Sequence, residues 1–445
     1  MTTSEVAALD VGQELGPLER LLRIFGDVRG GEAGTVLLLL LNVFLILGGY
    51  QVCKVAREPL ILATGGAEVK SYAAAGQAVV LMFFIPLYSW FASKVDRARL
   101  IFGVTLFFIV NIELFWLGAR LGIPYLGVAF FIWVGIFNNA IIAQFWSYGN
   151  DLYTREVGER LFPVIGIGAT LGSPFGTAAA AWLFHNKVGA YTILQITAVV
   201  LFLSLGIYWM VERREGRRRR RPGDGEKLKA GAGGFALLAR SPYLRLICIL
   251  IFLLNLVNTT GNYVLDKFIL AEAASRAVTD PSFNKEAFIG SLSGDIQFWV
   301  NVAAALIQGL LVSRIVKYLG LAGALLALPM IALGSYATVA AGATLALVRF
   351  AKTAENATDY SVMNTARQMI WLPTRREEKY KAKQATDTFI VRTGDLASAG
   401  LVFVGTAFLQ FGPQQFAAAN VVLCLVWLGV ATLLLKEYRR LAAQQ

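Results

Sequence analysis

Apolar stretches of about 20 residues recur along almost the whole chain, and no other feature limits the fold as much. A helix of that length crosses a hydrocarbon core ~30 Å thick. In lipid the backbone polar groups of a helix are satisfied within the segment itself. Twelve such stretches are predicted, at about 35–57, 70–93, 100–119, 124–149, 162–184, 189–211, 242–269, 294–316, 319–339, 343–371, 385–410 and 414–435. The expected fold class is all-α, a polytopic membrane protein of twelve transmembrane helices. Of the 445 residues 56% are hydrophobic and 16% charged, against ~25% charged in soluble domains.

Six stretches precede the basic, glycine-rich segment 212–241 and six follow it. The expected organisation is an N-terminal segment 1–34, a six-helix half 35–211, a linker 212–241, a second half 242–436 and a tail 437–445. Two six-helix halves around a long central loop is the layout of major facilitator transporters, whose halves rock about a midplane site. The segment Lys94 to Arg99 resembles that superfamily's inner-loop signature without its glycines.

The net charge of +12 is unevenly placed: 28 Lys and Arg fall in alternate loops and termini on one side, five (Lys70, Arg120, Lys187, Arg276, Lys285) on the other. This positive-inside bias predicts cytoplasmic termini and a bacterial inner (plasma) membrane location. Arg217–Arg221 reads as a topology determinant or an anionic-lipid contact, not a nucleic-acid site. Leu18, Leu21, Leu22 and Phe25 around Arg20 and Arg23 read as an interfacial amphipathic helix, not a signal peptide.

Cys53, Cys248 and Cys424 lack metal or disulfide spacing, and His185 is the sole histidine. No phosphate-loop, dinucleotide, zinc-protease or nucleophile-elbow motif occurs. No cofactor, no metal and no enzymatic activity are expected, and the chain is expected to act as a monomer.

Charges inside spans are the main functional signal, since each costs about 2.5–3.5 kcal/mol at mid-bilayer even on lenient scales. Lys352, Glu355 and Asp359 share one face of span 10. They lie 8–15 residues past Thr344, a depth of about 12–22 Å at 1.5 Å per residue. Arg392 and Asp395 reach similar depth in span 11. All five are expected to face one central cavity; the alternative is a buried cluster that only cross-links helices. Lys54, Arg57 and Glu58 close span 1. They could snorkel to the surface, but two cations on one face also suit a phosphate chain. Asn255, Asn258, Asn262 and Asp266 form a polar stripe on span 7, expected to face the cavity. In span 4, Trp146 or Tyr148 could stack on a base, with Asn150 nearby; interfacial anchoring is the alternative. Gly168, Gly172 and Gly176 on span 5 are four apart and predict close helix approach.

Four segments together resemble the ATP/ADP translocases (nucleotide transporters) of plastids and obligate intracellular bacteria. They are Arg57-Glu58 through Gly65-Gly66-Ala67-Glu68; Phe145-Trp146 to Asn150 with Arg160 to Gly168; Asp359-Tyr360-Ser361 through Arg367-Gln368-Met369 to Pro373; and Lys381-Ala-Lys383 to Asp387 with Arg392-Thr-Gly394. The resemblance implies a major facilitator-like fold and ATP:ADP antiport. The family carries lysine where Asp359 stands, and a Gly-Lys pair at Gly394-Asp395. Asn364 and Gln368 replace acids. These departures imply a divergent member with a less anionic substrate, or acids that bind protons.

The resulting expectation is a carrier moving a nucleotide or related organophosphate by alternating access. Lys54, Arg57 and Arg392 would meet phosphate. Glu355, Asp359 and Asp395 would set selectivity. Asn150, Asn258 and Asn262 would contact sugar or base, with Glu58, Trp146, Lys352 and Arg367 completing the site. The alternatives are a proton-coupled major facilitator carrier of an unrelated solute and a non-transporting module that handles nucleotide or lipid.

Overall fold

The computed structural model describes residues 17–22, 27–92, 95, 97–153, 155–215, 236–238, 241–374, 378 and 382–442. The Arg217–Arg221 run, most of the 212–241 linker, Lys94, Asp96, Arg23, Phe25 and Lys381 lie outside them. Twelve long helices account for almost all of the described chain. Helices α1 and α2 occupy residues 33–65 and 67–92 of one continuous stretch, Ala33–Ala92, broken at Gly66. Then follow α3 Arg97–Arg120, α4 Leu126–Leu152, α5 Arg155–His185 and α6 Ala190–Glu215. The second set is α7 Pro242–Thr279, α8 Lys285–Leu310, α9 Val312–Ala340, α10 at 345–369, α11 Lys383–Ala407 and α12 Pro413–Ala442.

Nine stretches among the described residues are long and apolar enough to cross a membrane, and the first of them contains both α1 and α2. Helices α8 and α10 fall outside that group because they are more polar, α8 through Asp295, Gln297, Asn301 and Gln308 and α10 through Arg349, Lys352, Glu355, Asp359 and Arg367. The short helix Pro17–Leu22 precedes the bundle. Its Leu22 is buried with the first half's core and its Arg20 is exposed.

Local chemistry sets several boundaries. Gly66 has φ +77°, a left-handed conformation that costs other residues about 1–2 kcal/mol, so α1 turns into α2 with no loop. The Ser241 hydroxyl accepts from Leu244 N, with Pro242 at the first helical position of α7. The Asn284 side chain caps α8 by accepting from Ala287 N at 2.9 Å.

Two apolar cores form, one from the first six helices and one from the last six. The second also takes in Ile61, Leu62, Ala67, Ala73 and Phe131 of the first half. Large side chains such as Phe83, Trp182, Phe202, Phe350 and Val422 cover the outside, a surface suited to acyl chains and not to water. The span 5 glycines behave as their spacing predicts. A Cβ at Gly168, Gly172 or Gly176 would run into the α1 backbone at Leu40, Phe44 or Gly48. The two helices therefore touch backbone to backbone.

Candidate functional site

A cavity of about 250 Å³ lies between the halves. From the first half it is lined by Lys54, Arg57 and Glu58 of α1, Lys70, Ser71 and Gln77 of α2, and Phe131 of α4. Asn258, Thr259, Asn262, Tyr263 and Asp266 of α7, Ser293 and Gln297 of α8, Asn356 and Tyr360 of α10 and Asp395 of α11 line the other side.

On α1, the Arg57 guanidinium lies 4.2 Å from the centre of the Phe131 ring and donates to Glu58 Oε1 through Nε (3.2 Å) and an Nη (3.0 Å). Glu58 is shared: its other oxygen is 2.5 Å from Lys70 Nζ. Lys70 also donates to Asp266 Oδ1 at 2.9 Å and lies 2.8 Å from Oδ2. Lys54 differs from both cations. It donates to the Tyr360 hydroxyl at 3.3 Å and stands 5.6 Å from that ring's centre, with no carboxylate partner among the described residues. The lining thus holds three cations (Lys54, Arg57, Lys70) and three acids (Glu58, Asp266, Asp395).

Three elements of the sequence reading change here. Lys70 was expected in an outer loop, but α2 begins earlier than its apolar stretch, so Lys70 sits within the helix and turns into the cavity. Lys352, Glu355 and Asp359 were expected to face that cavity with Arg392 and Asp395, yet only Asp395 lines it. Lys352 and Glu355 have side chains only 3% and 4% exposed and pair at 2.8 Å. Tyr336 of α9 donates to both Glu355 oxygens (3.0 and 2.8 Å), and Lys352 donates to Asn258 Oδ1 at 2.6 Å. That face of α10 is turned into the second half, and the adjacent face, Asn356 with Tyr360, meets the cavity. Periodicity defines a polar face but not which neighbour it meets. The helix also carries a π turn, Asp359–Met363, which shifts the register at Tyr360; such turns recur at functional sites.

The third change concerns α4. Trp146 packs edge-on against Phe145 and Phe162, and Asn150 is exposed at the end of the bundle that holds the chain's N-terminal helix start. Neither lines the cavity; the aromatic patch is used in packing the first half.

Asp395 accepts from the Thr259 hydroxyl at 2.9 Å and lies 3.5 Å from Arg392. Arg392 Nε is buried and unpartnered. Arg367 sits 3.6 Å from Asp387, outside the cavity lining. Of the α7 stripe, Asn258, Asn262 and Asp266 line the cavity, whereas Asn255 bonds its own helix at Ile251 O. Residues that the sequence reading left out of the site include Lys70, Gln77, Tyr263, Gln297 and Tyr360. Tyr263 and Tyr360 stand four residues past Thr259 and Asn356 on the α7 and α10 faces, a signal open to sequence; no polar face was expected on α2, which bears Lys70 and Gln77, or on α8, which bears Gln297. His185 bonds Ala181 O at 2.8 Å, and no metal-holding group occurs among the described residues.

Twelve helices in two packed sets around a polar cleft are a fold of major facilitator type. The solved structures agree on the fold. The nucleoside transporter NupG matches with a TM-score of 0.63 at 14% identity, covering 92% of this chain and 99% of its own. An auto-inhibited POT family peptide transporter matches with 0.64 at 12% identity, covering 92% and 97%. Among curated proteins, the chain is similar to ADP,ATP carrier proteins of Chlamydia. It is 23% identical over 504 aligned residues to ADP,ATP carrier protein 1 of Chlamydia muridarum, covering 95% of this chain and 92% of that one. It is 22% identical over 359 residues to the Chlamydia pneumoniae protein of the same name, covering 70% and 67%. No family model matches the chain.

Proposed function

We propose that this protein carries a nucleotide or a related organophosphate across the membrane by alternating access, binding it in the cavity between the halves. The observation that carries this reading is the pair Lys54 and Arg57 on one face of α1, both lining that cavity. Among the described residues Lys54 has only a phenol as partner, so its ammonium can donate to a phosphate oxygen. Arg57 presents a planar fork suited to bidentate phosphate binding. Asn258 and Asn262 supply amides at the height where a sugar or base would lie. The overall likeness to ADP,ATP carrier proteins supports the same substrate class.

Three cations are matched by three acids in the lining, so the empty cavity is formally neutral. That balance favours a nucleotide of modest charge over tetra-anionic ATP. The positive-inside bias supports an inner-membrane location with cytoplasmic termini. Both halves of one chain line the cavity, an arrangement that suits a monomeric carrier.

Purified protein in liposomes, supplied with labelled AMP, ADP or ATP with and without internal nucleotide and a pH gradient, tests the reading. Saturable uptake of at least one nucleotide, competed by other phosphate compounds, is expected. Nucleotide exclusion alongside uptake of an uncharged solute would overturn it.

A further inference from the structure

The charges that α1, α2 and α7 bring to the cavity are wired in an order that the substrate reading alone does not require. Arg57, Glu58, Lys70 and Asp266 form a chain of alternating sign, with contacts of 3.0, 2.5 and 2.8 Å. The first three belong to α1 and α2 of the first half. Asp266 belongs to α7 of the second. The last contact therefore joins the two halves directly, and its side chains are only 14% and 7% exposed.

A second tie runs alongside it. Glu68 accepts from Lys267 Nζ at 2.8 Å and from the Tyr263 hydroxyl at 2.9 Å. Its charges are each 34% exposed, so water screens them and they hold the halves more weakly. The buried pair is the stronger tie. Separating it in an empty carrier would leave Asp266 without a cation among the described residues and Lys70 with Glu58 alone, away from water, which is unfavourable.

We propose that the Asp266 carboxylate occupies the position of a substrate anion: a phosphate group takes its place on Lys70, and that replacement releases the two halves. Lys70 is then a specificity-determining residue. The empty carrier is the locked form, so exchange of one substrate for another is built into the site. The inference rests on the phosphate reading above.

Two features support it. Lys70 and Arg57 share one carboxylate, Glu58, so a single phosphate in that neighbourhood can reach both cations. Lys70 and Asp266 both line the cavity, so an anion bound there meets their contact directly. The anion adds no contact to the second half at this point. It acts by giving Lys70 a second anion beside Glu58 when Asp266 leaves, a differential interaction with the open and closed states, as a ligand-driven shift demands.

The test uses the full chain in liposomes, with Cys53, Cys248 and Cys424 replaced by alanine and spin labels at Ile123→Cys and Val278→Cys. Both positions are exposed, the first between α3 and α4, the second near the end of α7. Pulsed EPR distances are measured for the empty protein, with ADP, and for Asp266→Asn, Lys70→Gln and Asp266→Glu. ADP binding to the unaltered protein is measured separately by equilibrium dialysis. The empty protein and Asp266→Glu should give the closed distance. Asp266→Asn, Lys70→Gln and the ADP-bound protein should each raise a longer-distance population by about tenfold or more, a shift that needs only a modest differential affinity. Two variants remove the tie from opposite ends, so misfolding of one leaves the other informative. Closed distances in both variants would overturn the proposal. So would ADP that binds yet leaves the closed distance unchanged. If ADP does not bind at all, the substrate reading fails with it, whereas opening by the two variants would then still identify the pair as the lock.

Discussion

Lys54 of α1 stands 3.3 Å from the hydroxyl of Tyr360 on α10 and 5.6 Å from the centre of its ring, a cation of one half held against an aromatic of the other across the cavity. The contact holds the ammonium in place without neutralising it. Tyr360→Phe keeps the ring and loses one hydrogen bond, so the transport KM should change by less than about tenfold, a net loss near 1 kcal/mol. Lys54→Ala removes the charge and should raise KM by tenfold or more, on the order of the 1.5–3 kcal/mol of a charged hydrogen bond. Equal effects of the two changes in uptake assays would show that Lys54 serves Tyr360 and not the substrate.

Arg57→Ala should abolish transport while the protein still reaches the membrane. Arg57→Lys should restore part of it, because an ammonium cannot offer the planar two-point fork. Uptake rates normalised to purified protein check this. Wild-type rates in Arg57→Ala would leave the guanidinium with no role beyond its stacking on Phe131.

Asp395→Lys should move preference toward ATP, since Asp395 lines the cavity. Asp359→Lys should move it much less, because Asp359 does not. Competition of labelled ADP uptake by unlabelled AMP and ATP reads the difference. A larger shift from Asp359 than from Asp395 would place the substrate on the other face of α10.

Lys352→Met should lower the stability of the second half by about 3–5 kcal/mol, the usual consequence of leaving one buried charge alone. Adding Glu355→Gln should recover a large part of that loss, because no lone charge remains beside Tyr336. Thermal melts of detergent-purified protein measure both. A single variant as stable as the parent would mean that the pair is solvated.

Gly172→Leu should destabilise the first half by at least the about 1–3 kcal/mol typical of overpacking, since its side chain would meet the Phe44 backbone on α1. Gly166→Ala should be nearly silent, having open space around its Cβ position. Matching melting temperatures for the two would contradict the backbone contact.

The helix count, the pairing of α5 with α1 and the polar character of α7 are legible in the residues, because apolar length and spacing of four are local properties. Lys54, Arg57, Glu58, Asn258, Asn262 and Asp395 are brought to one cavity as their positions imply. Lys352 and Glu355 were misplaced for a physical reason. Burial in a partner helix and exposure to a polar cleft both demand a polar face, and only the rotation of α10 about its axis separates them. Lys70 was missed because a hydropathy minimum reads as a loop when a turn needs just one residue. The lone cation Lys54 and the ion-paired Arg57 look alike in the chain; their partners come from residues 306 and one position away.

That one-residue turn reaches further than its size. Gly66 is the entire connection between α1 and α2, so the segment that bears Lys54, Arg57 and Glu58 and the segment that bears Lys70 have no slack between them. A flexible insertion at this point would leave every charge in the chain and every helix intact, yet let Lys70 drift from Glu58. The spacing of the cations is thus set by backbone handedness at a single glycine, and a substitution that touches no solute could change which solute fits.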